Sequence, residues 1–281
     1  MEPSEIQHFI LTRFNILLWK KAKDGRKVRT KIWLEHRFSL FENYCLPSLI
    51  SQTCHDFEWI VLFDSMTPNC FKERIAGYQK DCPQLIPVYV KPEDGWQFAE
   101  IFREEIVKRL KAKRVLSTYL DNDDALNVRF VEDIQQRVKA VNVGTFINYD
   151  DGYQYYKDDK FMMRVHYPTN HFVSVVEKGE PATLKGIFGY GSHATIEKIK
   201  GVKIECIRNQ RMWCEVVHEK NVMNDAKIFS VNMVADNELL RREFGVDDSV
   251  KFGLKLYVFK FLPRYAKTFV ERVKYKLASR K

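Results

Sequence analysis

The chain has 281 residues with a formal net charge of +9; 45% are hydrophobic and 30% charged, and no apolar run approaches the roughly 20 residues that a membrane-spanning helix needs. An aromatic share of 14% supplies the apolar area that offsets chain entropy, which excludes intrinsic disorder. No repeat period is visible, which excludes coiled coils, collagen and solenoids.

The stretch from Met1 to His8 is polar and Arg13 interrupts the apolar residues after it, so no signal peptide is expected. Cysteines at 45, 54, 70, 82, 206 and 214 show neither a CxxC pair nor the spacing of a zinc site. Reduced thiols, as in a cytosolic protein, are expected.

His8 to Thr12 is a short apolar run suited to a buried strand. Residues 20–33 are polar and basic around Asp24-Gly25 and read as a loop. From Leu34 onward, Leu34, Phe38, Phe41, Cys45 and Leu49 share one side of a helix. Phe57 to Phe63 is a second buried strand, closed by Asp64, and Leu85 to Val90 a third. Phe98, Ile101, Phe102, Ile106 and Leu110 mark another helix. Arg114 to Leu120 is a fourth strand, running into Asp121-Asn122-Asp123-Asp124. Strands separated by helical crossovers predict a mostly parallel central sheet with helices on both faces. Ligands of such sheets gather at the carboxyl ends of the strands, so Thr12-Arg13, Asp64 and the acidic quartet should meet on one edge.

After residue 125 the pattern weakens. Val128 to Val141 reads as a helix, Thr145 to Tyr149 as a strand, and Asp150-Asp151-Gly152 as a turn. Gly186, Gly189 and Gly191 near His193 suggest a flexible loop over 181–195. Arg211 to Lys220 fits a strand or the start of a helix. No linker divides the body, so one domain over 1–250 and a C-terminal extension over 251–281 are expected.

That extension carries the whole charge excess. Of the 46 Lys and Arg, ten lie in 251–281 against one acid, Glu271, so the other 250 residues hold 36 of each sign. Tyr265, Phe269, Val273 and Leu277 recur every four residues, flanked by Arg264, Lys267, Arg272, Lys274 and Lys276. A basic amphipathic helix of this kind fits an anionic membrane surface, at roughly 1 kcal/mol per Lys or Arg near the headgroups. The alternative is a helix docked on the domain with a solvated basic face. Without a nucleic-acid-binding fold, no nucleic acid is expected.

Three carboxylates in four residues repel one another unless a cation shares them. Mg²⁺ or Mn²⁺ suits the arrangement, because such ions take one or two carboxylates and complete their shell with water and phosphate oxygens. A solvated acidic turn, or an Asp capping the helix near Val128, is the competing reading. The position after the fourth strand of a nucleotide-binding-type sheet favours the metal.

Several blocks resemble the putative rhamnosyltransferase family of bacterial glycosyltransferases: Phe9-Ile-Leu-Thr-Arg-Phe-Asn15, Trp33 to Leu49 with Gln52-Thr53, and Tyr119-Leu-Asp-Asn-Asp-Asp-Ala-Leu126. Gly152-Tyr-Gln-Tyr155, Phe172-Val-Ser with Glu177, Gly189-Tyr-Gly-Ser-His193, and Trp213 through His218 to Asn221 fit as well. The resemblance covers about residues 7–225 and stops before the basic extension. It implies a GT-A type α/β nucleotide-binding sandwich, with a nucleotide-sugar-binding half over about 1–125 and an acceptor half over about 126–250. It also implies a nucleotide-sugar donor, usually a divalent metal, and a role in surface polysaccharide biosynthesis.

Within that frame Asp123 is the expected leading ligand of Mn²⁺ or Mg²⁺, with Asp121 holding the ribose or sharing the metal. Asp124 stands behind them or caps the next helix. Thr12 and Arg13 are expected to meet the nucleotide, Asp64 the base or ribose, and His218 the metal or diphosphate. Arg208 and Arg211 are further phosphate candidates. An inverting transfer needs a general base beside the acceptor hydroxyl; Asp151 and His193 are the candidates, with Glu177 third. Trp96, Tyr153, Tyr155 and Trp213 offer faces for sugar stacking.

The expected protein is thus a metal-dependent glycosyltransferase, inverting if the donor is a β-linked nucleotide-rhamnose. It would act on a glycan or lipid-linked acceptor at the cytoplasmic membrane face, peripherally held by 251–281. Two alternatives compete. A sugar-phosphate nucleotidyltransferase of related fold would want a glycine-rich loop, and Asn15 to Trp19 has no glycine. A non-enzymatic basic nucleic-acid- or membrane-binding protein would ignore sugar nucleotides.

Overall fold

The computed structural model describes residues 5–18, 29–218, 233–256 and 258. Most of the expected loop 20–33 and of the extension 251–281 therefore lies outside the described residues.

Among the described residues nine strands build one sheet: β1 (Ile6–Arg13), β2 (Glu58–Asp64), β3 (Leu85–Val90), β4 (Arg114–Tyr119), β5 (Ala125–Leu126), β6 (Thr145–Tyr156), β7 (Phe161–His166), β8 (Ser174–Lys178) and β9 (Lys203–Val217). Their order is β3-β2-β1-β4-β8-β6-β9-β5, with β7 paired to β6. The first four are mutually parallel, as helical crossovers require. Beyond them β8 runs antiparallel to both β4 and β6, while β6 and β9 are parallel.

Both faces are covered, which is why β1, β2 and β4 are buried along most of their length. On one face, Leu34 and Phe38 of α1 (Lys31–Leu40), Phe71 and Ile75 of α3 (Asn69–Asp81), and Phe130 and Ile134 of α5 (Phe130–Val138) pack on Ile10, Val61 and Leu116. On the other, Phe102 and Ile106 of α4 (Phe98–Arg109) pack with Phe9, Leu11 and Phe188. Each such side chain contributes roughly 1.5–3 kcal/mol. The result is the α/β sandwich expected from the sequence. Among the described residues, no helix is long and apolar enough to cross a membrane.

The helix expected from Leu34 begins at Lys31, because the Thr30 hydroxyl accepts the Trp33 amide at 3.2 Å and caps it. It continues through a π turn, Phe41–Cys45, into α2 (Leu46–Ile50). The Leu46 amide donates to the Phe41 carbonyl, a wider step just ahead of Pro47, whose ring would clash with a regular helical carbonyl.

Two expectations are corrected. Asp150-Asp151-Gly152 is not a turn; β6 stays extended through it, with register shifts on either side of Asp151. Gly152 makes this possible, since a Cβ there would stand 2.2 Å from the Trp213 ring. Nor is 181–195 a loose loop. The turns Ile187–Tyr190 and His193–Lys198 bury Ile187, Phe188 and Ile196, and Phe188 stacks on Phe102 at 4.9 Å. Gly186 turns the chain at φ 69°, a conformation glycine adopts freely.

Candidate active site

The carboxyl ends of β1, β2 and β4 meet as expected and are stitched by two amide side chains. Asn122 donates to the carbonyls of Arg13 at 2.7 Å and Phe14 at 3.0 Å. Asn15 accepts from the Asp64 amide and donates to the Thr67 hydroxyl, each at 2.9 Å.

The aspartates of the acidic segment divide on this edge. The Asp121 side chain is 35% exposed; its Oδ2 stands 4.0 Å from His171 Nε2, and its Oδ1 accepts the Tyr119 hydroxyl at 2.7 Å. Asp124 is buried, with Oδ2 2.8 Å from His171 Nε2 and Oδ1 accepting the Val216 amide at 2.8 Å. One ligand atom each from Asp121, Asp124 and His171 lie within 4.8 Å of one another.

Asp123 turns towards α1. Its Oδ2 is 3.0 Å from both Arg37 Nη1 and His218 Nε2, and Arg37 also donates to the Asn122 side chain. Burial alone would raise the Asp123 carboxyl, but Arg37 and His218 outweigh it and hold the group well below the usual range. Asp124 is pushed up, first by burial and then by the charges of Asp123 and Asp121, against the pull of His171. His171 is raised to about 9, because Asp124 and Asp121 outweigh its own burial.

The remaining candidates separate into those at the site and those elsewhere. The Arg13 guanidinium lies over the Phe98 and Phe188 rings at 4.9 and 5.1 Å and donates to the Tyr119 oxygen at 2.8 Å. His193 places its ring 5.8 Å from that of His171. Asp64 is buried on the same edge; it accepts the Met66 amide at 2.7 Å and pairs with Arg29 at 2.5 Å. Thr12 is wholly buried, and its hydroxyl accepts the Trp59 indole at 2.9 Å. A nucleotide contact through that side chain is therefore corrected to a core hydrogen bond.

Asp151 is also corrected. It sits within β6 rather than on a turn, with one oxygen 3.0 Å from His166 Nδ1 and the other accepting the Asn209 amide at 2.5 Å. Glu177 lies towards the far end of β8, paired with Val115, and receives the amides of Lys185 and Gly186, each at 2.9 Å. It anchors the turn that carries Phe188. Arg208 stands 3.6 Å from Asp150, and Arg211 lies over Tyr153. Trp213, Tyr153 and Tyr155 are core residues, whereas Trp96 is exposed.

The sequence reading gave no role to three residues at this edge: His171, Tyr119 and Arg37. Ser174 of β8 opposes Thr118 of β4 in antiparallel register, so residues just before β8 must stand at the carboxyl end of β4. The polar Thr169-Asn170-His171 ahead of an apolar run was the available signal. Its use required the strand's direction, which the sequence does not state.

A family model described as Putative rhamnosyl transferase matches residues 7–228. No curated protein sequence matches the chain. Among solved structures, S. aureus TarS aligns with a TM-score of 0.41 at 10% identity, covering 75% of this chain and 37% of that one. TarS 1–349 in complex with UDP gives 0.40 at 10% identity over 75% and 60%. A 4-diphosphocytidyl-2C-methyl-D-erythritol synthase gives 0.34 at 12% identity over 79% and 94%. The chain thus spans less than two thirds of the TarS chains it matches. The family match takes in β1, the acidic segment, His171, His193 and His218. The chain belongs to the putative rhamnosyl transferase family, a family of glycosyltransferases.

Proposed function

We propose that this protein is a metal-dependent glycosyltransferase, moving a sugar such as rhamnose from a nucleotide-sugar to a glycan or lipid-linked acceptor in cell-surface polysaccharide biosynthesis. The observation that carries the reading is the open Asp121 beside Asp124 and His171, at the carboxyl edge of four parallel strands, in a chain of this family. On this reading β1–β4 take the nucleotide and the mixed part of the sheet takes the acceptor.

Two carboxylates and an imidazole form a mixed oxygen and nitrogen donor set. It suits Mn²⁺ better than Mg²⁺, which favours oxygen and water. Asp121, Asp124 and His171 are the residues that would hold the ion. Asp123 and His218, the ligands expected beside Asp121, would instead brace the acidic segment through Arg37. When bound, the cation offsets negative charge on the departing nucleoside diphosphate. If the transfer inverts, a base must take the acceptor's proton; His193, beside His171, suits this better than the doubly bonded Asp151. Residues 251–281 would hold the enzyme at the cytoplasmic face of an anionic membrane. Exposed Phe252 and Leu254 next to Lys251 and Lys255 support that placement.

A thermal-shift panel of UDP-, GDP-, dTDP- and CMP-sugars with and without Mn²⁺ tests the proposal. One nucleotide sugar should stabilise the protein in Mn²⁺, by about 2.7 kcal/mol at a hundredfold excess over its dissociation constant. Asp121→Asn should remove the effect. Indifference to all of them at millimolar concentration would overturn the reading.

A further inference from the structure

Arg13 and Tyr119 form a relay behind Asp121 that a nucleotide contact does not explain. Tyr119 is buried, and its hydroxyl lies within hydrogen-bond reach of both Arg13 and Asp121. A guanidinium only donates and an ionised carboxylate only accepts, so the hydrogen bonds run one way, from Arg13 to Tyr119 at 2.8 Å and from Tyr119 to Asp121 Oδ1 at 2.7 Å. The aromatic box around Arg13 is held in turn. Phe188 lies 4.7 Å from the Tyr119 ring, and the turn that carries it is tied through the Ile187 amide to the Ser117 hydroxyl at 2.9 Å.

We infer that Tyr119 and Arg13 are positioning residues that make Asp121 a one-oxygen metal ligand. With Oδ1 committed to the phenol, Oδ2 alone is left towards His171 and Asp124. Arg13 acts through this relay and not by touching the nucleotide. The inference rests on the metal reading above. It adds a consequence for metal affinity in the absence of any substrate, because partners that orient a ligand typically account for 10–100-fold in affinity.

The test is a Mn²⁺ titration of the full chain without nucleotide, following the electron paramagnetic resonance signal of free Mn²⁺. Tyr119→Phe keeps the ring and removes only the hydroxyl; it should weaken Mn²⁺ binding 10–100-fold. Arg13→Gln should weaken it as well, and with no nucleotide present that loss cannot come from a missing nucleotide contact. Circular dichroism and a thermal midpoint identify any variant that fails to fold, and Tyr119→Phe, which retains its packing, then decides alone. Wild-type affinity in folded Tyr119→Phe would overturn the relay and leave the metal reading standing. A wild-type protein that takes up no Mn²⁺, or an Asp121→Asn variant that binds it normally, would overturn both.

Discussion

Asp121 and Asp123 stand two residues apart at one strand end, yet the protein gives them opposite surroundings. Asp123 meets a guanidinium and an imidazole in a buried corner against α1. Asp121 faces half-open space, held by a phenol on one oxygen. The first arrangement compensates a charge; the second keeps a charge available. A short acidic motif is therefore two devices, and its spacing alone does not say which aspartate belongs to which.

The contrast breaks most visibly at Arg37. Among the described residues, Arg37→Ala takes from the buried Asp123 one of its two charged partners and leaves His218, and removing one partner of a buried pair typically costs about 3–5 kcal/mol. Urea denaturation should show that loss.

pH should separate the corners next. Asp123 is depressed in the folded state, so its contribution is present above the ordinary carboxylate value and disappears as the pH falls below it. His171 is raised to about 9; its contribution is full below about 6.5 and lost as the pH rises through 9. Asp124 is raised to about 7, so its contribution is lost between the ordinary carboxylate value and about 7, ahead of that of His171. Thermal midpoints of the protein in EDTA should therefore pass through a maximum, falling towards acid and towards alkali. Arg37→Ala should flatten the acid limb, and His171→Asn the alkaline one.

The smallest effect belongs to Asp121→Asn, whose partly solvated carboxylate should change folding stability by no more than about 1 kcal/mol. A larger shift in urea would mean that Asp121, like Asp123, serves the fold.

Much of this edge was legible because strong local signals coincide with it. Buried parallel strands read as continuous apolar runs, and their polar terminators, Arg13, Asp64 and Asp121-Asn122-Asp123-Asp124, do gather where β1, β2 and β4 end. Illegible features depended on long-range pairing. Asp151 looks like a turn residue until Trp213 is known to lie against Gly152. The glycines near His193 suggest looseness until Glu177 is seen binding two amides of that segment. Thr12 sits at a strand end, as a nucleotide ligand would, but the indole of Trp59 on the neighbouring strand claims its hydroxyl.

The π turn at Phe41–Cys45 links these observations to the geometry of α1. It acts as one surplus residue in the helical count, and a single-residue step corresponds to roughly 100° around the axis. Were the turn wound regularly, the segment before it and the segment ending at Ile50 could not both keep their present facing. Either Leu46 and Leu49 would rotate out of the core, or Arg37 would swing off the aspartate it neutralises. The wide turn ahead of Pro47 is thus the setting screw that aims a distant cation at the acidic edge.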